Sequence, residues 1–414
     1  MRRIAVVGAG WAGLACAVEA VTRGASVTVY ESAKAPGGRA RTVAGRTPLL
    51  DNGQHVLIGA YVDTLALMRR VGADPETLLL RQPLSLRFAD GGGVSLPRGP
   101  ALPALLAGIL RAGGWSWADR AALIRTAIGW RLQGFRCDAA LTVAELCSAL
   151  PPRVRDELID PLCVSALNTP PAAASGAVLL RVLRDALLTT AGGSDLLLPL
   201  ADLDSLFPTP AVGWLRRSGA QVLTGRRVMA IRPDGRGWRV DDDPFDAVVL
   251  ACPPGEAARL VETAVVAHAP WTTPARAMRF EPIATVYAQA ARGLERPMLA
   301  LRSSAAMPAQ FVFDKGRLGG PPGLLAFVAS ACHQERDLLE AAVVAQAEAQ
   351  LGLVVRPSAT LVDKRATFSC TPGLLRPPMR IAASLLACGD YVEGPYPATL
   401  EGAVRSGLAA ARQA

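Results

Sequence analysis

The chain is poor in several things, and each scarcity excludes a class of protein. Among its 414 residues no apolar run approaches the roughly 20 that a membrane-spanning helix needs; candidates such as Ala101–Leu110 are short and contain Pro103. Histidine occurs three times (His55, His268 and His333), which argues against a multi-histidine site, so no metal is expected. The eight cysteines form no CxxC pair and no metal-like spacing, leaving ordinary buried thiols in a reducing compartment. There is no internal repeat, no low-complexity linker and no nucleic-acid motif; the arginines are dispersed, and no nucleic-acid partner is expected. Met1–Val7 runs straight into glycines without a small-residue cleavage site, so it reads as a strand rather than a secretion signal, and the cytoplasm is the expected compartment. What the chain does have is grease and positive charge: 51% hydrophobic residues and a net charge of +9. That pairing fits contact with an anionic membrane surface, here the inner face of the membrane.

The order of elements predicts an α/β fold. Ile4–Val7 reads as a buried parallel strand, Leu14–Thr22 as a helix closed by Arg23-Gly24, and Ala25–Tyr30 as a second strand, together one βαβ unit of about 30 residues. Asp74–Gln82 reads as a short helix, Arg87–Leu96 as a hairpin, and 101–190 as mostly helical. Further on come a helix at Pro208–Ser218 and strands at Gln221–Leu223, Arg227–Ile231, Trp238–Val240 and Ala247–Leu250. Region 280–330 is strand-rich, a helix follows over about 335–350, and the last strand (Ser384–Ala387) precedes a last helix starting near Ala398. The dinucleotide-binding pieces therefore lie at both ends and in the middle. The expected division is 1–78, 195–272 and 360–414 for a Rossmann-type dinucleotide domain, and 79–194 and 273–359 for an interleaved α+β substrate domain.

Gly8-Ala9-Gly10-Trp11-Ala12-Gly13 sits between the first strand and the first helix, and Glu31 ends the second strand, followed by Ser32. Gly8 permits the tight turn, Gly10 lets backbone approach a pyrophosphate, Gly13 lets helix and strand pack closely, and Glu31 accepts from a ribose hydroxyl. This much does not separate NAD from FAD. Further on stand Gly37-Gly38-Arg39, Asp51-Asn52-Gly53-Gln54-His55, Gly225 with Arg227-Val228, Ala251-Cys252-Pro253-Pro254, Cys388-Gly389-Asp390, and Pro397-Ala398-Thr399-Leu400-Glu401-Gly402.

These elements resemble the flavin amine oxidase and phytoene desaturase superfamily. The resemblance implies FAD as the cofactor. It implies that Gly38-Arg39 lies along the phosphates and Gly53-Gln54-His55 beside the isoalloxazine. Val228 would lie at the adenine, Cys252 at the strand end closing over the dinucleotide, and Gly389-Asp390 at the ribityl–phosphate region. The helix after Pro397-Ala398-Thr399 would aim its N-terminus at the flavin N1/O2 edge, where reduced flavin carries negative charge. Within the superfamily, Asp51–Gly59, Pro161–Thr169, Gln310–Asp314, Lys364–Phe368 and Pro397–Gly407 resemble the hydroxysqualene dehydroxylase branch, also called squalene-associated FAD-dependent desaturases. One departure stands out: the branch continues its GD element with tryptophan and threonine-glycine, whereas this chain has Tyr391-Val392-Glu393-Gly394-Pro395-Tyr396.

The branch implies reductive removal of the hydroxyl of hydroxysqualene, a long-chain isoprenoid alcohol, to give squalene. A proton would assist departure of the hydroxyl, and reduced flavin would deliver hydride to the allylic carbon. His55, Glu393 and Tyr391 are the candidate proton donors. Such a substrate needs an apolar tunnel with a membrane-facing mouth. Trp115, Trp117, Trp130 and Phe135, mixed with Arg111, Arg120, Arg125 and Arg131, suit an interfacial surface, although a core helix pair with solvated arginines reads equally well. The rival readings are a carotenoid-type desaturase running the flavin in the oxidising direction, an amine oxidase, disfavoured because only Lys34, Lys315 and Lys364 are available, and a non-enzymatic prenyl-protein escort.

Overall fold

The computed structural model describes residues 1–43, 45, 48–187, 192–264 and 269–414, so His268 lies outside the described residues. The strands that organise it are β1 (Arg3–Val7), β2 (Ser26–Glu31), β3 (Gln221–Thr224), β4 (Ala247–Leu250), β5 (Phe280–Ala290), β6 (Met298–Ala300), β7 (Phe311–Asp314), β8 (Leu324–Ser330), β9 (Val355–Phe368), β10 (Arg380–Ala382) and β11 (Leu385–Ala387). The main helices are α1 (Trp11–Thr22), α2 (Ala101–Leu110), α3 (Trp117–Leu132), α4 (Gly176–Leu187), α5 (Arg336–Leu351) and α6 (Leu400–Gln413).

The first sheet has the order β3-β2-β1-β4-β11-β10, parallel except for the β10 edge. Ile4 to Val7 and Ala247 to Leu250 are buried in register, side by side, because helices and loops cover both faces; that is why these strands are apolar throughout rather than alternating. α6 returns from the far end of the chain to lie against α1. A Cβ at Gly407 would stand 2.2 Å from the Ala12 carbonyl oxygen, so the two helix backbones touch.

The second sheet is antiparallel, with the order β6-β7-β8-β5-β9. One face packs on α5 through Leu339, Val343 and Ala347. Tyr287, Phe311 and Phe313 share a core with residues of the 101–187 helical region. Where the branch motifs meet, Asn168, in the left-handed region at φ 44°, donates through Nδ2 to Thr367 Oγ1 at 2.9 Å and accepts from the Ala331 amide at 3.1 Å. Thr169 Oγ1 accepts from the Cys370 amide at 3.0 Å. The Pro161–Thr169 and Lys364–Phe368 motifs therefore form the seam between helices and sheet.

Several expectations need correction. The expected helix Asp74–Gln82 stops at Leu78; Leu79–Gln82 instead pairs antiparallel with Leu196–Pro199, so a boundary at 78 cuts between a helix and the strand continuing it. The strand expected at Arg227–Ile231 begins only at Ile231, because the Asp241 carboxylate takes the Met229 and Ala230 amides and Arg259 takes the Val228 and Met229 carbonyls. The boundary drawn at 360 falls inside β9, which pairs along its length with β5 and belongs to the second sheet up to Phe368. The aromatics of the 115–135 stretch are not a surface girdle. Trp115 and Trp130 are buried and Phe135 is half-buried; only Trp117 of the four is exposed, at 74%, with Arg120 stacked 4.9 Å over its ring. The large apolar residues that reach the surface of this region are Leu102, Leu106 and Leu110 on α2 and Ile128 and Leu132 on α3. No helix among the described residues is long and apolar enough to cross a membrane.

Candidate active site

The cleft starts where β1 turns into α1. Gly8 has φ 114°, and a Cβ there would stand 2.7 Å from the Ala251 carbonyl oxygen and 3.0 Å from the Cys252 nitrogen. The turn therefore needs glycine both for its backbone angle and for the strand end beside it. At Gly13 a Cβ would fall 1.9 Å from the Gly8 carbonyl oxygen, so the helix can approach its own turn only without a side chain. Trp11, Ala12 and Gly13 are buried in the first turn of α1, with the Trp11 ring turned inward, donating to the Ala40 carbonyl at 3.0 Å. The α1 N-terminus carries no side-chain cap and no acidic residue in its first turn. Its orphan N–H groups and positive dipole end are left for an anion from elsewhere, which fits a pyrophosphate.

Gly38 closes the opposite wall: Gly37 N donates to the Ala9 carbonyl at 2.8 Å, and a Cβ at Gly38 would come 3.2 Å from the Gly10 Cα. At one end of this cradle Glu31 accepts from the Ala9 and Ala33 amides, both at 2.7 Å, and from Ser32 Oγ at 3.3 Å. The Gly225 and Arg226 amides donate to the Ala33 and Glu31 carbonyls, which brings the segment carrying buried Val228 to the same end. Cys252 lies here too, its thiol pushed up to about 12 by burial.

At the other end Arg39 Nη2 donates to Asp390 Oδ1 at 2.5 Å and Nη1 to the Ala366 carbonyl at 2.9 Å. The Arg39 side chain remains 40% exposed beside a carboxylate that is 9% exposed, as expected of a cation lining a cleft wall. Asn52 Nδ2 donates to the Arg39 carbonyl at 3.2 Å and to Asp363 Oδ2 at 3.1 Å, which carries the wall on to Gly53-Gln54-His55. Burial, and then the Arg39 charge, hold the His55 imidazole down at about 4, so it is neutral at neutral pH. Gly389 N donates to Ser406 Oγ at 3.1 Å, which ties the GD turn to α6. Ahead of α6, Pro397 is buried, Ala398 has φ 57°, and Thr399 caps the helix by accepting from the Gly402 amide at 2.9 Å.

The three candidate proton donors are thus not equivalent. His55 is half-buried, with its Nε2 3.8 Å from where a Cβ on Gly53 would stand. Tyr391 is 2% exposed, its hydroxyl has no partner among the described residues, and burial raises its pKa well above the usual value. Glu393 is exposed, on a loop whose Val392 and Gly394 carbonyls are both held by Arg376. Three participants escaped the sequence reading. Asp363 supports Asn52. Tyr287 accepts from Gln54 Nε2 at 2.9 Å and donates to the Asp51 carbonyl at 2.9 Å. Lys315 is half-buried next to Gln54 even though lysine is scarce. Its one sequence signal is its position, directly after the wholly buried Phe311–Asp314 run.

Comparisons with known proteins bear on the family and the fold of the whole chain. Residues 11–414 match the family described as flavin containing amine oxidoreductase. The chain is 27% identical to a hydroxysqualene dehydroxylase of Rhodopseudomonas palustris and 26% identical to one of Sinorhizobium fredii, each match covering 99% of this chain and 97% of the relative. A zeta-carotene desaturase of Zea mays is 37% identical over 92 residues, covering 22% of this chain and 16% of the relative. Among solved structures, a protein of Exiguobacterium sp. 255-15 assigned as a protoporphyrinogen oxidase superposes with a TM-score of 0.71 at 16% identity, covering 99% of this chain and 98% of that one. Cyclohexylamine oxidase from Brevibacterium oxydans superposes with a TM-score of 0.68 at 17% identity and the same coverage. At these identities the superpositions speak for the fold alone.

Proposed function

The chain belongs to the flavin containing amine oxidoreductases and is a FAD-dependent oxidoreductase, and on that premise we propose that it removes the hydroxyl of hydroxysqualene reductively to give squalene. The observation that carries this reading is the span of similarity. The hydroxysqualene dehydroxylases of Rhodopseudomonas palustris and Sinorhizobium fredii match over 99% of the chain, whereas the Zea mays zeta-carotene desaturase matches over 22% of it.

In this reading Glu31, Ser32 and Val228 hold the adenosine end and the α1 N-terminus with Gly8, Gly10 and Gly38 takes the pyrophosphate. Cys252 lies beside that turn, and Arg39, Gly389 and Asp390 hold the middle of FAD. Gly53, Gln54 and His55 face its ring, and Pro397-Ala398-Thr399 bring up the α6 N-terminus. Bound there, FAD supplies two electrons and hydride chemistry. The balance is simple: the alcohol takes a proton, its C–O bond breaks and water leaves, and a hydride forms the new C–H bond at the allylic carbon. The protein must keep bulk water from the allylic cation and supply the proton. His55 is the proposed proton-handling residue because it lines the cleft. Tyr391 is sealed behind the GD turn, and Glu393 stands on the outer loop. The apolar surface formed by Leu102, Leu106, Leu110, Ile128 and Leu132, with exposed Arg111, Arg125 and Arg131 nearby, supports peripheral binding to an anionic membrane at the cytoplasmic face, from which the substrate would be drawn.

The test is anaerobic incubation of hydroxysqualene with the purified protein and chemically reduced FAD, read by mass spectrometry. Squalene is the expected product. No squalene from flavin-loaded protein would move the assignment to a desaturase acting on another polyisoprenoid.

A further inference from the structure

Lys315 is half-buried, the least exposed of the three lysines; Lys34 and Lys364 are exposed. Its side chain is 12% exposed, and its Nζ has two partners, both distant: Gln54 Oε1 at 3.5 Å and Asp51 Oδ2 at 4.0 Å. Asp51 is already engaged, accepting at Oδ1 from Thr42 Oγ1 at 3.1 Å and from the Leu203 amide at 3.0 Å. A largely enclosed ammonium with three hydrogens to place is costly unless its partners are close and well aligned. The protein supplies no such set, so the ammonium is not explained as a structural ion pair.

A second buried polar group beside the same segment is also unsatisfied. Thr285 is 1% exposed, and its Oγ1 has no hydrogen-bond partner among the described residues. It lies 4.0 Å from where a Cβ on Gly53 would be. Two under-satisfied polar groups from different strand segments thus flank Gly53-Gln54. Glu31 marks the ribose end of the cradle, and the wall then runs through Gly10 and Gly38 to Arg39, Asn52 and Gly53. A dinucleotide laid along this wall in the proposed orientation would bring its far end to Gly53-Gln54, the segment that Lys315 and Thr285 flank.

We propose that Lys315 is an electrostatic positioning residue for the ring end of FAD: through Gln54 it fixes Gly53–His55, and its ammonium provides a fixed positive charge where the cofactor's reduced form accumulates negative charge. Gln54 transmits the positioning, since its amide bridges Lys315 to Tyr287, which in turn holds the Asp51 carbonyl. The inference rests on the placement of the ring proposed above.

The experiment compares wild type, Lys315→Met, Lys315→Arg and Asp51→Asn as flavin-loaded proteins, reading the flavin midpoint potential by dye-linked titration and FAD affinity by fluorescence. Lys315→Met should favour oxidised over reduced flavin by about tenfold relative to wild type, a fall of about 30 mV for a two-electron couple. Lys315→Arg, which keeps the charge, should stay near the wild-type potential. Asp51→Asn removes the competing carboxylate and should raise the potential. A folded Lys315→Met protein with wild-type potential would overturn the proposal. Should Lys315→Met fail to fold, an unchanged or lowered potential in Asp51→Asn would overturn it equally, because a purely structural lysine leaves the potential where it was.

Discussion

Arg39 and Asp390 are 351 positions apart in sequence and meet at 2.5 Å, so the Gly37-Gly38-Arg39 and Cys388-Gly389-Asp390 motifs are joined by one ion pair. Charged hydrogen bonds of this kind contribute about 1.5–3 kcal/mol. Asp390→Asn should therefore weaken FAD binding by roughly tenfold to a hundredfold, measured by flavin fluorescence on refolding from the apoprotein. Wild-type affinity in that variant would remove the pair from the cofactor site.

Close backbone contact predicts a second effect. Gly13→Ala would set a methyl 1.9 Å from the Gly8 carbonyl oxygen, and Gly407→Ala would set one 2.2 Å from the Ala12 carbonyl oxygen. Each should cost about 1–3 kcal/mol of stability through overpacking. Only Gly13→Ala should also lose flavin out of proportion to that cost, because it displaces the turn under the phosphates. Thermal unfolding and the ratio of flavin to protein absorbance, read together, separate the two.

The neutral state of His55 has a definite pH signature. Its folded value of about 4 lies below the roughly 6.5 of an unfolded histidine. The unfolded chain then takes up the proton first as pH falls, so the stability contributed by neutral His55 is complete above about 6.5 and is lost between there and 4. His55→Gln should flatten that part of the stability curve. If His55 also delivers the proton, turnover should rise about tenfold per pH unit from 7 toward 5, following its protonated fraction. A pH-independent rate over that range would take the proton-handling role away from it.

Asn168 offers a control on the substrate half. Its amide group bridges Thr367 and the Ala331 amide from a buried, left-handed position. Asn168→Ala should lower stability by about 1–3 kcal/mol, since it strands buried partners, and should raise KM more than it lowers flavin content. Loss of flavin with unchanged KM would show that the seam serves the cofactor instead.

Much of this was legible in the sequence, and the reason is physical. Gly8, Gly13 and Gly38 are required by backbone angle or by distances near 2–3 Å, and such demands leave a fixed residue type at a fixed spacing. The apolar strands β1 and β4 were legible because burial on both faces permits nothing else. The surface of α2 and α3 was misread because composition cannot say which tryptophan turns inward: Trp115 does so because Glu157 receives its Nε1 hydrogen at 2.8 Å. Lys315, Tyr287 and Asp363 were missed because their roles arise from side chains far apart in sequence, 233 positions for Gln54–Tyr287 and 311 for Asn52–Asp363, and no local pattern encodes such a pairing. The strand boundary inside 355–368 was missed for a similar reason, since six of its 14 residues are exposed and they alternate poorly.

That strand also bears on how such enzymes diversify. β9 is built into the substrate-side sheet, yet its Ala366 carbonyl receives Arg39 and its Asp363 carboxylate receives Asn52. The two halves therefore share a component and are not interchangeable cassettes. A chimera that grafts a relative's substrate half onto this dinucleotide half inherits a foreign wall for the cofactor, and it would fail at flavin loading before specificity was ever tested. Under the proposed function, retargeting such a protein to a new substrate would have to proceed residue by residue, with the 363–366 stretch kept as native.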